Sequence, residues 1–127
     1  MNRTKTLLGA LAISLAAPVI AFAAPVIQTF QTEAGAVLAD ADNMSLYIFD
    51  KDTPAVSNCN GDCAVKWPPL IASEQSRPNG EFGIIMRADG SLQWAYKGMP
   101  LYTWFKDAAA GDTTGDGVKG VWHLARP

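Results

Sequence analysis

Residues 46–70, LYIFDKDTPAVSNCNGDCAVKWPPL, decide the fold, because they hold both cysteines of the chain, one of its four tryptophans and a Pro-Pro pair. A related segment follows: residues 46–52 read LYIFDKD, and residues 101–107 read LYTWFKD. Asp52 and Asp107 are 107 minus 52, or 55, positions apart. The chain is therefore predicted to contain two related halves.

The repeat continues beyond this motif, although the second copy lacks both cysteines. Gly61 aligns with Gly115 and Leu70 with Leu124 at an offset of 54, which predicts a one-residue deletion in the second copy. The units are predicted at about residues 36–72 and 91–127. A half without its own crosslink is expected to pack against the other half and not to fold alone.

Cys59 and Cys63 are predicted to form a disulfide bond. A loop this short stabilises the fold by about 2 kcal/mol in the chain-entropy estimate. The alternatives are a redox-active pair, a metal-thiolate site and two free thiols. Residues four apart on a helix are too far apart for this bond, so Cys59 is expected to precede a helical turn over residues 63–67. Asp62 is its expected N-cap, and Pro68 ends the turn.

Short apolar runs separated by turn residues account for the rest of the chain. The expected strands are residues 26–30, 37–38, 46–49, 82–86, 92–96, 101–105 and 121–124. The pairs Asp42-Asn43, Asp89-Gly90 and Lys97-Gly98 tolerate left-handed backbone between such runs, which is typical of hairpins. We predict an all-β fold, a small antiparallel sandwich or barrel, with one short helical turn near Cys63.

These motifs occur in a fixed order: the segment 47–52, Cys59 and Cys63 ahead of Trp67-Pro68-Pro69, then residues 87–90 (RADG) and 98–102 (GMPLY). Together they resemble the secreted-repeat family of predicted lipoproteins with a Yx(FWY)xxD motif, over nearly all of the chain after about residue 34. The resemblance implies a bacterial envelope protein built from a repeated unit, in a family whose activity is not established.

The amino-terminal segment predicts export. Arg3 and Lys5 precede an apolar run over residues 7–22, and Ala21-Phe22-Ala23 fits the cleavage pattern of a signal peptide at residues 1–23. The first cysteine is Cys59, so no lipid anchor is expected at the cleavage site. We expect one domain, residues 24–127, that is free in the periplasm or secreted, with no membrane anchor after cleavage.

The charge of this domain excludes some partners. Removing the signal leaves 8 basic and 12 acidic residues, a net charge of 8 minus 12, or −4. The basic residues are scattered singly, whereas a nucleic-acid binder needs a basic stripe. Nucleic acids and anionic membrane surfaces are therefore not expected partners.

The repeated motif allows a structural and a binding interpretation. Tyr47 and Phe49 alternate onto one strand face and are expected in the core, as is Tyr102. Asp52 and Asp107 follow at strand ends and can cap turns, but they are also the better binding candidates, because a strand-end carboxylate can face solvent. The sequence contains no assembled catalytic constellation, so no catalytic residue is predicted and an enzyme is not expected.

The candidates for a metal site are weak. Residues 112–117 fit part of a calcium loop, with Asp112 and Asp116 as oxygen ligands, but His123 stands where the final glutamate belongs. His123 with a methionine is a conceivable copper site. No cofactor is predicted.

The sequence therefore predicts a non-enzymatic interaction or small-ligand-binding module, whose partner is an unknown envelope protein or small ligand. The alternative is a periplasmic redox or metal-handling protein.

Overall fold

The computed structural model describes residues 26–127, so the signal peptide predicted at residues 1–23 lies outside the described residues. The strands are β1 (Gln28–Thr32), β2 (Gly35–Ala39), β3 (Tyr47–Phe49), β4 (Ile71–Ala72), β5 (Phe82–Met86), β6 (Leu92–Tyr96), β7 (Met99–Pro100) and β8 (Trp122–Leu124). They are joined by one α-helix, α1 (Asp62–Lys66), and a 3-10 helix at Val118–Gly120. The predicted all-β class with a short helical turn near Cys63 is confirmed.

Each half begins with an antiparallel hairpin, β1–β2 in the first and β5–β6 in the second. β5 and β6 have the bounds that their apolar runs predict. The three expected turns carry left-handed residues: Asn43 has φ 61°, Gly90 has φ 88°, and Lys97 and Gly98 have φ 50° and 84°. Asn and Gly adopt this region at low cost, which is why these pairs reverse the chain.

The two halves meet at Tyr47 and Tyr102, which are antiparallel partners. The Tyr47 N–H donates to the carbonyl of Tyr102 at 2.8 Å, and the Tyr102 N–H donates to the carbonyl of Tyr47 at 3.0 Å. Tyr47 also pairs with Leu124 of β8, and Tyr102 pairs with Pro69. The last segment of each half therefore pairs with the other half: β8 pairs with β3, and Pro69 pairs with Tyr102.

The backbone hydrogen bonds define how the two halves correspond. The Ala125 N–H donates to Leu46, and the Leu70 N–H donates to Leu101, an offset of 55 for both partners (125 minus 70; 101 minus 46). The equivalence of Leu70 with Leu124 predicted from the sequence is therefore wrong by one residue. At the end of the second copy the offset is 55 again, so the predicted one-residue deletion does not shift the residues there.

The sheets are antiparallel but remain separate: β1–β2, β3–β8, and β4–β6–β5 with β7 also on β6. Over residues 26–127 they do not close into a barrel, so that alternative is wrong. The expected strand at residues 101–105 is also reduced to a bridge at Tyr102. It runs beside residues 66–70, where Pro68 and Pro69 have no N–H to complete a ladder.

The crosslinked turn is close to its prediction. Cys59 and Cys63 form a disulfide with Cα atoms 5.2 Å apart, and Cys59 precedes α1. The N-cap is Gly61 at φ 61°, without a side-chain capping bond, so the assignment of Asp62 as N-cap is wrong by one residue. Asp62 lies in the first turn instead, where a carboxylate suits the helix dipole. No helix in the described residues is long and apolar enough to cross a membrane.

Two clusters of buried residues form the core, and both contain residues from each half. The first is mainly aromatic: Val37, Tyr47, Phe49, Cys59, Trp67, Tyr102, Trp104, Trp122 and Leu124. The second is mainly aliphatic: Leu38, Leu46, Ala72, Trp94, Leu101 and Ala125. Because neither half completes a cluster from its own residues, the halves depend on each other for burial of their apolar surface.

Candidate functional site

The motif residues of the two halves bond across the repeat boundary. The Tyr47 hydroxyl donates to Asp107 at 2.6 Å, and the Tyr102 hydroxyl donates to Asp52 at 2.7 Å. We call these two contacts the crossed Tyr–Asp pairs. Each tyrosine is thus held by the aspartate of the other half, not by the aspartate of its own motif.

All four of these side chains are buried. Tyr47 and Tyr102 are 0% exposed, which confirms the core interpretation of the tyrosines. Asp52 and Asp107 are only 6% and 8% exposed, so the expectation that their carboxylates face solvent is wrong. The physical reason is that each carboxylate accepts a tyrosine hydroxyl and a backbone N–H, which replaces its water.

Burial also sets the ionisation of these groups. It raises the pKa of Tyr47 and of Tyr102 far above the usual range, and the hydrogen bond to Asp107 or Asp52 adds to this effect. Burial raises the pKa of Asp52 as well, although hydrogen bonds from Asn58 and Tyr102 oppose it. The hydroxyls therefore remain protonated donors at neutral pH, which suits a structural brace.

Four aromatic rings stack next to the crossed pairs. In order they are Phe49, Trp122, Trp67 and Trp104, with centroid distances of 4.2, 3.7 and 3.9 Å. We call this the aromatic stack. It is symmetric, because Phe49 corresponds to Trp104 and Trp67 to Trp122 at the offset of 55. Tyr47 and Tyr102 meet Trp67 and Trp122 edge-on, at 5.4 and 5.1 Å.

Gly115 is packed into this arrangement. A Cβ atom at Gly115 would lie 2.9 Å from Trp104, from Trp67 and from Tyr47. Its N–H donates to the Tyr47 hydroxyl at 3.1 Å. Apart from the alignment of Gly115 with Gly61, this role could not be predicted, because close packing of three distant rings is not visible in the local sequence pattern.

A groove of about 380 Å³ lies over the aromatic stack. We call it the aromatic groove. The stack, α1 and the segment that follows Gly117 form its walls, through Phe49, Lys51, Asp62, Cys63, Lys66, Trp67, Trp104, Val118, Lys119, Val121 and Trp122. A wider depression of about 630 Å³ beside β1 is more open and more polar, and its walls include Phe30, Glu33 and Asp112. Binding sites are usually concave and mostly apolar, so the aromatic groove is the better candidate.

A buried arginine extends one crossed pair. Arg87 is 5% exposed, and it donates to Gln93 at 2.8 Å, to the carbonyl of Cys59 at 2.8 Å and to Ser57 at 3.0 Å. Ser57 lies 2.7 Å from the Tyr102 hydroxyl. Arg87 thereby ties the second hairpin to the disulfide turn of the first half. Sequence reasoning missed this role, since only the fold brings these residues together.

The three metal candidates do not converge. Asp112 accepts from Ala108 and Ala109, Asp116 accepts from Leu124, and His123 lies 2.7 Å from Asp50 at the surface. In residues 26–127 there is no group of three or more His, Cys, Asp or Glu residues that could hold a metal ion. The backbone bonds of Asp112 lower its pKa, as expected for a carboxylate that closes a turn.

Comparison with known proteins agrees with this two-part architecture. The family described as a secreted repeat of unknown function matches residues 28–71 and again residues 83–126. The two segments start 83 minus 28, or 55, positions apart, the offset that the backbone bonds define. The chain belongs to this family, as its motifs predict. No match was found among curated proteins or among solved structures.

Proposed function

We propose that this protein is an exported, non-enzymatic module that binds a small molecule in the aromatic groove. The observation that carries the proposal is the groove itself, a concave and largely apolar site formed where both halves meet. Its volume of about 380 Å³ is within the range of small-molecule sites, roughly 300–1,000 Å³.

The crossed Tyr–Asp pairs support this site indirectly. They fix the two halves whose tryptophans stack, and the rigid stack leaves a preformed groove that loses little entropy on binding. The repeated motif, in this interpretation, builds the site without touching the ligand. A small ligand suits a groove of about 380 Å³ better than a protein partner does, because a stable protein interface covers roughly 800 Å² on each partner.

Indole N–H signals in a ¹H–¹⁵N NMR spectrum test the proposal. The chain has four tryptophans, of which Trp67, Trp104 and Trp122 line the groove, while Trp94 belongs to the second core cluster. In a screen of small aromatic and aliphatic compounds, a groove ligand is expected to shift the first three signals and to leave Trp94 unchanged. A screen in which every bound compound shifts Trp94 alone, or in which none shifts the three stack signals, contradicts the proposal.

The family description as a secreted repeat supports export. We propose that the protein acts in the periplasm after removal of residues 1–23, because the segment Ala21–Ala24 fits a cleavage site. Intact mass of the exported protein tests this. A lipidated product, or one that keeps residues 1–23, contradicts it. The redox or metal-handling alternative stays a prediction.

A further inference from the structure

The aromatic groove has a charge opposite to that of the domain around it. Residues 26–127 carry 8 basic and 12 acidic side chains, a net charge of −4. The groove is lined by Lys51, Lys66 and Lys119 but by one carboxylate, Asp62, a local charge of 3 minus 1, or +2. Three of the eight basic residues thus surround one apolar site, and this concentration favours an anionic occupant.

These lysines have no acidic partner. Within residues 26–127 the one contact of 4.0 Å or less between a basic side chain and a carboxylate joins His123 to Asp50, so no carboxylate lies within 4.0 Å of the Lys51, Lys66 or Lys119 ammonium group. All three side chains are exposed at the groove. An anion between them would gain attraction without breaking an existing ion pair.

The aromatic stack presents ring edges to the groove. Trp122 has parallel rings at 4.2 and 3.7 Å, and Trp67 has rings at 3.7 and 3.9 Å. Distances this short leave room for only one ring on each face, so both faces of each tryptophan are covered. Trp67 and Trp122 are only 4% and 3% exposed, so the part of each ring that is left for a molecule in the groove is its edge. Aromatic edges carry partial positive charge and attract the face of another ring.

From these observations we infer that the aromatic groove binds an anionic aromatic molecule, a ring compound with a carboxylate or a similar acidic group. The ring lies across the edges of Trp67 and Trp122, and the acidic group lies among the three lysines. This inference rests on the proposed function and adds the chemical class of the ligand.

Three probes with one ring system and different head charges test the inference: 2-naphthoate (anion), 2-naphthalenemethanol (neutral) and 2-naphthylmethylammonium (cation). Binding is measured from the shifts of the Trp67, Trp104 and Trp122 indole signals, with Trp94 as internal control. We expect 2-naphthoate to bind about 10-fold more tightly than the neutral probe, since two to three exposed charge contacts act together. The cation is expected to bind most weakly.

Lysine variants locate the charge effect. Lys51→Ala, Lys66→Ala and Lys119→Ala are each expected to weaken 2-naphthoate binding by about 2- to 5-fold and to leave the neutral probe unchanged. Lys106→Ala is the matched control, because Lys106 corresponds to Lys51 at the offset of 55 and does not line the groove. Added salt should weaken the anion and spare the neutral probe.

The outcomes separate the two proposals. Equal affinity for the three probes, with shifts of the three stack indoles and no effect of the lysine variants, overturns the anionic class and leaves the groove as a binding site. The absence of stack shifts with all three probes overturns both. Loss of anion binding in Lys106→Ala as large as in Lys51→Ala also contradicts the inference, because the effect would then be general and not local.

Discussion

The two crossed Tyr–Asp pairs have nearly the same hydrogen bond, 2.6 and 2.7 Å, but different surroundings. Tyr102 and Asp52 lie next to the disulfide turn, where Ser57 and Arg87 complete the contacts. Tyr47 and Asp107 lie next to the corresponding turn of the second half, which contains no cysteine. There, the backbone N–H of Gly115 takes the place of Ser57 at the tyrosine hydroxyl. The aspartate contact is shared, because Thr114 donates its backbone N–H to Asp107 as Asn58 does to Asp52.

This difference shows which parts of the repeat are fixed by packing. The aromatic stack needs both halves in one register, so its rings and the crossed pairs are symmetric. The turn that follows each aspartate only has to supply hydrogen-bond donors and close the groove, so the two turns can differ. The first half closes its turn with the Cys59–Cys63 disulfide, and the second half packs Gly115 against the rings. The groove is asymmetric in the same way, because Lys51 lines it and the corresponding Lys106 does not.

The largest effect is expected from the tyrosines. Tyr47→Ala and Tyr102→Ala each remove a fully buried ring that contacts a stacked tryptophan, and each is expected to cost about 3–5 kcal/mol of unfolding free energy. Chemical denaturation measures it. Variants as stable as the parent contradict the core assignment, and a large loss at only one tyrosine shows that the two sides of the brace are unequal.

A smaller but sharp effect is expected at Gly115. Gly115→Ala places a Cβ 2.9 Å from three buried rings that cannot all move aside, and we expect a loss of about 3 kcal/mol, the upper end for overpacking. Gly83→Ala is the matched control, because Gly83 has nothing within 4 Å of the added atom and no positive φ. Equal stability of the two variants contradicts the packing role of Gly115.

Removal of the disulfide is expected to lower the stability less than the changes at the tyrosines and Gly115. Replacing Cys59 and Cys63 by Ser is expected to lower the unfolding free energy by about 2 kcal/mol, because the bond closes a short loop. A loss well above that value in thermal or denaturant melts shows instead that the crosslink positions Trp67 in the stack.

The smallest effect concerns ionisation. Tyr102→Phe removes the hydroxyl that bonds Asp52 and Ser57 and is expected to cost about 1 kcal/mol near neutral pH. Because the pKa of Tyr102 is raised in the folded protein, the folded state keeps a proton that the unfolded chain loses above about pH 10. The stability of the parent therefore falls as pH rises through this range, while the variant lacks that titration. The stability difference should shrink between about pH 9 and 11, and a growing difference contradicts the assignment.

Local patterns in the sequence predicted the local structure well. The apolar runs at residues 82–86 and 92–96, with Asp89-Gly90 between them, predicted a hairpin, and the cysteine spacing predicted a crosslink before a helical turn. Strands β4 and β7 escaped detection, because two-residue strands carry no periodicity. The run at residues 101–105 has the composition of a strand, but two prolines on its neighbour prevent a ladder.

The contacts that form the site could not be predicted from the two related motifs. Nothing in the sequence tells whether Tyr47 bonds the aspartate of its own motif or that of the other copy. The burial of Arg87 and Gln93 and the stacking of Trp67 on Trp122 likewise follow from the exchange of chain ends between halves. Residues that looked like surface ligands, Asp52 and Asp107, became buried partners for that reason.

Double-mutant cycles test most directly whether the motif braces the two halves to each other. Unfolding free energies are measured for Tyr47→Phe, Asp107→Asn and Asp52→Asn, singly and in the pairs Tyr47–Asp107 and Tyr47–Asp52. The structure predicts a coupling of about 0.5–3 kcal/mol for Tyr47 with Asp107, and additivity within about 0.5 kcal/mol for Tyr47 with Asp52. Coupling within the Tyr47–Asp52 pair together with additivity across the halves would contradict the crossed arrangement.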